Sequence, residues 1–258
     1  MWVWKDRVLS PDDMTAFAGL HHIETLLVYV SPAAARALLV GRQQPLAAVK
    51  AMRGAGRRVY AVAGEPDWAR GPVEMPEHAA LLVRLVTSTN LFDGLHFDVE
   101  PNALPDWNDF AARPALIDGT LRFYELLHEA APSIAIDAAV NPVFAVMAAG
   151  HENFMYAIAK RTSSVSIMAY RSSVARALDW VAPAIEQVAT AGRPWRMGVL
   201  VDRNPSEPGT SWFGTPRETF VASMRKLDAR LVGRSPKSDY IGLVFQDYDG
   251  LSQMYRSA

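Results

Sequence analysis

Hydrophobic and polar positions along the chain predict eight strands, each followed by a helix. The predicted strands cover residues 2–4, 24–30, 58–63, 94–100, 133–140, 164–170, 196–201 and 240–245. Several of them, such as 24–30, are almost continuously apolar, which is typical of parallel strands that are covered on both faces. The pattern therefore favours an α/β fold with a parallel sheet.

Helical patterns fill the segments between the predicted strands. They cover residues 11–21, 32–53 with a break near Gly41, 76–89, 113–131, 152–160, 173–191 and 216–231, and a short helix begins near residue 251. Eight strands alternating with eight helices in 258 residues match the ~250 residues typical of a (β/α)8 TIM barrel. We therefore predict one barrel domain over residues 1–258.

Composition narrows the class of function. Half of the residues are hydrophobic and 21% are charged, as in globular proteins with a substantial core. The formal net charge of -1 gives no electrostatic reason to expect nucleic acid or an anionic membrane as a partner. The absence of cysteine excludes disulfides, thiolate catalysis and zinc held by thiolates.

The first residues of the chain and its longest apolar runs bear on localisation. No apolar run approaches the roughly 20 residues of a membrane span. The first seven residues have neither the apolar core nor the cleavage site of a signal peptide. We therefore expect a cytoplasmic protein, or an exported one whose leader has been removed. The sequence does not indicate an oligomeric state.

The fourth predicted strand carries an unusual concentration of ionisable side chains. Its pattern has period two, so successive side chains point to opposite faces. One face carries Leu95, Phe97 and Val99, and the other carries His96, Asp98 and Glu100. On an antiparallel edge strand, such a polar face would simply be solvated. Among parallel barrel strands it would instead line the interior, with Glu100 at the rim where catalytic groups lie.

The spacing of the two carboxylates predicts acid catalysis. Alternate residues of a strand are about 6.6–7 Å apart, so Asp98 lies one pleat below Glu100. A neighbouring carboxylate disfavours ionisation, so we expect the pKa of Glu100 to be raised, as a general acid requires. A metal site made of His96, Asp98 and Glu100 is an alternative, but the outer two lie about 13 Å apart along the strand and could share a metal only pairwise with the middle residue.

Residues 93–100, Asp-Gly-Leu-His-Phe-Asp-Val-Glu, resemble the Asp-x-x-Asp-x-Asp-x-Glu motif of glycoside hydrolase family 18, the chitinase-like barrels. Met168-Ala169-Tyr170 is a weaker match to that family's Met-x-Tyr-Asp element. The resemblance implies retaining hydrolysis in which the substrate's own N-acetyl oxygen attacks the anomeric carbon, without metal or cofactor. It implies that Glu100 is the general acid, that Asp98 orients the acetamido group and Tyr170 bonds its carbonyl, and that Asp93 is structural.

Three departures from the family pattern distinguish this chain. His96 replaces the middle Asp of the motif; a neutral His96 could donate to Asp98, and a protonated one would lower the pKa of Asp98. Arg171 replaces the Asp after the Tyr and would place a cation near the sugar. The Trp of the family's last strand has no clear equivalent in residues 242–247. The resemblance thus implies a divergent branch rather than a chitinase.

Further candidate substrate-binding residues follow from the fold prediction, because polar groups at strand ends and in the following loops face the ligand in barrels. Arg171 belongs to this set. The polar candidates at strand ends are Glu65, Asn141, Asp202, Gln246 and Asp247. Trp68, Trp107 and Trp212 lie in loops and are either sugar-stacking platforms or packing residues. Asp137 lies in mid-strand, where we expect a buried structural hydrogen bond.

The predicted function is cleavage of β-linked amino-sugar glycans of the N-acetylhexosamine type. The expected partner is an oligo- or polysaccharide. A barrel that binds sugar without cleaving it is the first alternative, and a metal-dependent barrel hydrolase is the second. The sequence leaves open which sugar and linkage are cleaved, and whether cleavage is internal or terminal.

Overall fold

A computed structural model describes residues 1–4, 11–54, 56–71, 73–234 and 239–256. The fold class is the predicted one, an α/β protein of the TIM-barrel type. Eight strands form one sheet in the order β1-β2-β3-β4-β5-β8-β9-β10, and neighbouring strands run parallel. These strands are β1 Trp2–Val3, β2 Thr25–Tyr29, β3 Arg58–Ala63, β4 Gly94–Phe97, β5 Ile136–Val140, β8 Ser164–Met168, β9 Trp195–Leu200 and β10 Tyr240–Gln246.

Helices lie between the consecutive strands of this sheet in the described ranges. They are α1 Pro11–Leu20, α2 Pro32–Leu39, α3 Gln43–Gly54, α4 Glu77–Thr89, α5 Arg113–Ala130, α6 Phe154–Arg161, α7 Val174–Thr190, α8 Arg217–Arg234 and α9 Tyr248–Arg256. The predicted break near Gly41 separates α2 from α3. Gly41 adopts a φ of 72°, a conformation that glycine reaches without steric cost.

Two compact units make up the chain. The first unit is Val3–Ala138, and the second is Met1–Trp2 together with Ala139–Ala258. Both have apolar cores. In the first, the rings of Trp68, Phe97 and Phe123 contact one another with centroids 5.2–6.1 Å apart. In the second, Phe144 packs on Phe154, and Trp195 packs on Tyr240. The prediction of one domain stays a prediction.

The structure differs from the predicted elements at several boundaries and in the segments described next. β4 ends at Phe97 rather than at residue 100, because Pro101 opens a 3-10 helix, Pro101–Ala103, directly after Glu100. Residues 66–69, predicted as a loop with an exposed Trp, form a 3-10 helix that buries Trp68. A short hairpin of β6 Ala148–Ala149 and β7 Glu152–Asn153, outside the main sheet, was not predicted. Within the described ranges, no helix is long and apolar enough to cross a membrane.

Candidate active site

Asp98 is held by backbone contacts although it lies one residue beyond β4. Its amide donates to the carbonyl oxygen of Ala63 at the end of β3, at 3.0 Å. The next residue of that neighbouring segment is Gly64, and a Cβ atom there would lie 2.1 Å from the Asp98 carbonyl oxygen. Only glycine allows such an approach. The backbone of Asp98 is therefore fixed by the end of β3.

One oxygen of the Asp98 carboxyl group is buried without a hydrogen-bond partner in the described part of the chain. No hydrogen-bond donor among the described residues reaches Oδ1. Burial raises the pKa of Asp98 well above its ordinary value, and the negative charge of Glu100 raises it further. The two carboxyl groups therefore interact, and the group whose pKa this interaction raises is Asp98. Glu100 itself is half-buried, at the start of the 3-10 helix.

His96 pairs with a residue of the next strand. Its Nδ1 lies 2.6 Å from Oδ2 of Asp137, and both side chains are completely buried. The two residues are register partners on β4 and β5, so the sheet itself brings them together. The expected buried hydrogen bond of Asp137 is thereby identified. The effect of His96 on Asp98, by donation from a neutral ring or by the charge of a protonated one, stays a prediction.

Tyr124 is a neighbour of these carboxylates that the sequence did not reveal. It lies on α5 and is buried. Burial raises the pKa of its hydroxyl, and the negative charges of Asp98 and Asp137 raise it further. Tyr124 therefore stays protonated and can only interact as a neutral hydroxyl. No local pattern could have indicated this, because the contact depends on how α5 packs.

Asp93 lies at the opposite end of β4. Its Oδ1 accepts a hydrogen bond from Arg53 Nη2, and its Oδ2 accepts one from the amide of Val59, both at 2.8 Å. The Arg53 pair is partly exposed, so it contributes little by itself. These contacts join α3, β3 and the start of β4, which is the arrangement of a structural residue.

The tryptophans considered as sugar platforms are all buried. Trp68, Trp107 and Trp212 are 9%, 6% and 6% exposed, so packing is the role that the structure supports. The exposed aromatic ring of this region is Phe110, which is 82% exposed in the segment between β4 and α5. Phe110 was not among the predicted sugar platforms, which were all tryptophans. Glu65, in the loop after β3, is exposed to solvent.

The second unit contains its own group of candidate residues. The Tyr170 hydroxyl donates a short hydrogen bond to Oε1 of Gln246. Arg171 donates to the Tyr170 carbonyl oxygen at 2.7 Å, and its guanidinium lies 4.5 Å from the centre of the Trp180 ring. Tyr170 and Gln246 are thus brought together, whereas the cation of Arg171 is engaged by α7. Asn141 caps the 3-10 helix Pro142–Val146 by accepting from the Val143 amide at 3.1 Å.

Asp202 and Asp247 form a second carboxyl pair, after β9 and β10. Asp247 is buried, and its Oδ1 accepts from the amides of Asp249 and Gly250 at 2.9 and 3.2 Å, so it caps α9. Burial raises the pKa of Asp247 to about 6, and the charge of Asp202 contributes in the same direction. Both residues were predicted to contact substrate, and the structure gives Asp247 a capping role as well.

The metal alternative requires free ligand atoms on His96, Asp98 and Glu100. His96 directs Nδ1 at Asp137, which engages one of its two nitrogens. In the part of the chain that the structure describes, no three His, Asp or Glu side chains are grouped so as to hold a metal ion.

The fold has relatives among solved structures, whereas no protein-family model and no curated protein sequence matches the chain. Active domain 2 of a thermostable chitinase from Pyrococcus furiosus, complexed with chito-oligosaccharides, is 13% identical with a TM-score of 0.59, over 95% of this chain and 81% of that one. A mutant of an intracellular xylanase from Thermoanaerobacterium saccharolyticum, complexed with xylotetraose, is 15% identical with a TM-score of 0.56, over 95% and 84%.

A third similar structure carries different chemistry. A putative deoxyribose-phosphate aldolase from Toxoplasma gondii is 11% identical with a TM-score of 0.53, over 99% of this chain and 88% of that one. Glycosidases and an aldolase thus share the architecture. The likeness identifies the fold, and the function has to be argued from the site.

Proposed function

We propose that the protein is a glycoside hydrolase whose general acid is Glu100. The observation that carries the proposal is the pair of carboxyl groups at the end of β4, with a buried Asp98 oxygen that no donor in the described part of the chain satisfies. A buried, unsatisfied polar atom costs free energy, so it calls for an explanation beyond stability. A substrate group that hydrogen-bonds Asp98 would supply the missing partner.

The electrostatics of the pair suit acid catalysis. Two adjacent carboxyl groups do not both ionise readily, so the pair retains a proton at a higher pH than an isolated carboxyl group does. In the proposed reaction, Glu100 gives a proton to the glycosidic oxygen while the bond from that oxygen to the anomeric carbon breaks. The bond that the anomeric carbon forms in this step, to the acetamido oxygen of the substrate, breaks when water attacks that carbon. Glu100 accepts the proton that the water loses, which restores the starting state.

An N-acetylated sugar is the substrate class that fits Asp98 best. In the retaining reaction implied by the family resemblance, the substrate's acetamido oxygen bonds to the anomeric carbon, and its nitrogen gains positive charge. Asp98 in its ionised form would accept the N–H hydrogen bond and stabilise that charge. The fold shared with a chitinase and a xylanase supports a barrel that accommodates glycans.

The test of this proposal is Glu100→Gln. We expect this variant to lose at least about 1000-fold in kcat on a chromogenic β-N-acetylglucosaminide or on chitohexaose, because the amide cannot donate the acid proton. Glu129→Gln is the matched control, since Glu129 is exposed on α5 and its pair with Arg122 is a surface contact. Full activity of Glu100→Gln would refute the proposal. Binding of chitohexaose without any cleavage by the unmodified protein would favour the non-catalytic alternative.

A further inference from the structure

Phe110 is an exposed aromatic residue in a segment that is otherwise well packed. Its ring is 82% exposed, whereas Trp107, three residues earlier, is 6% exposed. The segment starts at Glu100 and runs through two 3-10 helices, Pro101–Ala103 and Pro105–Asn108. Leaving a large aromatic ring in water at this position has no stabilising effect on the fold.

A cation orders the ring of Phe110. The Arg113 guanidinium lies 4.7 Å from the centre of the Phe110 ring and 5.3 Å from that of the Trp107 ring. Its Nε donates to the Trp107 carbonyl oxygen at 2.7 Å, which holds the guanidinium between the two aromatic residues. Such contacts between a cation and an aromatic face are favourable and hold the ring in place. Arg113 lies over one face of the Phe110 ring, and the 82% exposure of the residue implies that the opposite face is open to solvent.

The backbone that carries this stack is also anchored. Arg70 Nη1 lies 2.5 Å from Oδ2 of Asp106, and its Nε lies 2.8 Å from Oδ1 of Asp67. The Arg113 amide donates to the Asp109 carbonyl oxygen at 2.9 Å, which closes the turn that contains Phe110. A ring held in place before binding loses less conformational entropy when a ligand stacks on it.

We propose that the open face of Phe110 is a carbohydrate-stacking platform that binds a sugar unit remote from the cleaved bond. The axial C–H groups of a pyranose present a flat apolar face to an aromatic ring, and the amide of Asn108, two residues earlier in the chain, is exposed. Residues in 3-10 helices rise about 2 Å and extended residues at most about 3.6 Å each, so Phe110 lies within about 25 Å of Glu100. An oligosaccharide can span this distance, whereas a single sugar at Glu100 cannot.

The inference rests on the proposed function for its ligand class, and affinity measured apart from turnover tests it independently. The experiment compares Phe110→Ala, Phe110→Trp and the unmodified protein, each in the Glu100→Gln background, by titration calorimetry with chitohexaose and N-acetylglucosamine. We expect Phe110→Ala to weaken the binding of chitohexaose by about tenfold and to leave that of the monosaccharide unchanged. Phe110→Trp should retain the affinity, because it keeps the aromatic face. Leu20→Ala is the matched control, since Leu20 is an equally exposed apolar side chain (75%) at the end of α1.

Each outcome has a defined meaning. Folding is not at risk, because Phe110 contributes almost no buried surface. Unchanged affinity of Phe110→Ala for chitohexaose would overturn the inference even if the enzyme cleaves this substrate. Loss of affinity in Phe110→Ala, in a protein that binds chitohexaose without cleaving it, would support the platform and refute the hydrolase. Absence of chitohexaose binding by all variants would overturn the platform as stated.

Discussion

Two pairs of carboxyl groups, at the ends of different strands, resemble each other electrostatically and differ in how they are satisfied. The pKa of Asp98, beside Glu100, and the pKa of Asp247, beside Asp202, are both raised. In both groups burial is the larger cause, and the charge of the neighbouring carboxylate is the smaller one. Asp247, however, accepts two amide hydrogen bonds at the start of α9. Asp98 has a buried oxygen without any partner in the described residues.

The comparison shows that a raised pKa does not by itself identify a catalytic group. The Asp247 carboxyl group has a structural task, because it satisfies amides that α9 would otherwise leave unpaired. The Asp98 carboxyl group satisfies no such need, and its backbone is fixed by the close approach of Gly64. Oδ1 of Asp98 has no partner in the described residues, whereas Oδ1 of Asp247 has two, so hydrogen-bond satisfaction separates the two pairs where electrostatics does not.

Asp98→Asn tests this distinction most strongly. We expect kcat on a β-N-acetylglucosaminide to fall about 100-fold, or about 2.7 kcal/mol in activation free energy, because a neutral amide cannot stabilise the developing positive charge. The same variant should be more stable than the unmodified protein at pH 8. The folded protein holds the Asp98 proton more tightly than the unfolded chain, so stability falls as the pH rises above the unfolded pKa, and the amide escapes this loss.

Kinetics and urea denaturation at pH 8 together check this prediction. An active and stabilised Asp98→Asn would show that Asp98 is a strained structural group with no part in turnover. An inactive and destabilised variant would show that the ionised carboxylate is needed by the fold, and the comparison with Asp247 would then fail.

The period-two pattern of residues 94–100 predicted which side chains share a face, and the structure agrees for Phe97, which packs on Trp68 and Phe123. The same pattern could not show that the strand stops at Phe97, because the stop depends on the turn that begins at Pro101. The alternation of predicted strands and helices likewise predicted the fold class, because each element could be predicted from its local sequence.

Side-chain partners were harder to predict than faces. The sequence suggested Asp98, two residues away, as a neighbour of His96, and it did not indicate the pairing with Asp137, forty-one residues away, which arises from the register of β4 and β5. Register between strands is a tertiary property that one strand's sequence does not contain. The burial of Trp68, Trp107 and Trp212 could not be predicted for a similar reason, because exposure depends on which segments pack over a loop.

Asp137→Asn tests whether the hydrogen bond between His96 and Asp137 stabilises the fold that carries the site. We expect a loss of about 2 kcal/mol in the free energy of unfolding, because a buried hydrogen bond to a charged acceptor is replaced by one to a neutral amide. Urea denaturation at pH 7 measures the loss. Asp179→Asn is the control, since Asp179 is exposed on α7. A change within the range of the control would mean that the pair carries no net stabilisation.

Asp247→Asn has the smallest expected effect and completes the comparison with Asp98. Asparagine caps helices as well as aspartate does, so the bonds from Asp249 and Gly250 should remain. The folded pKa of about 6 exceeds that of the unfolded chain, so the unmodified protein loses stability as the pH rises through about 4 to 6. The amide cannot ionise, and we therefore expect Asp247→Asn to be more stable at pH 8, by about 1 kcal/mol after allowance for solvent screening, and equal in stability near pH 4.

The Asp247→Asn variant has to be measured both for stability and for turnover. Urea denaturation at pH 4 and pH 8 measures the first, and kcat at pH 8 measures the second. Asp98→Asn and Asp247→Asn should both stabilise the protein at pH 8, because each removes a buried carboxylate that is reluctant to ionise. Only Asp98→Asn should lose turnover. If Asp247→Asn lost turnover by a similar factor, capping would not account for Asp247, and the second carboxyl pair would have to be counted among the groups that act on the substrate.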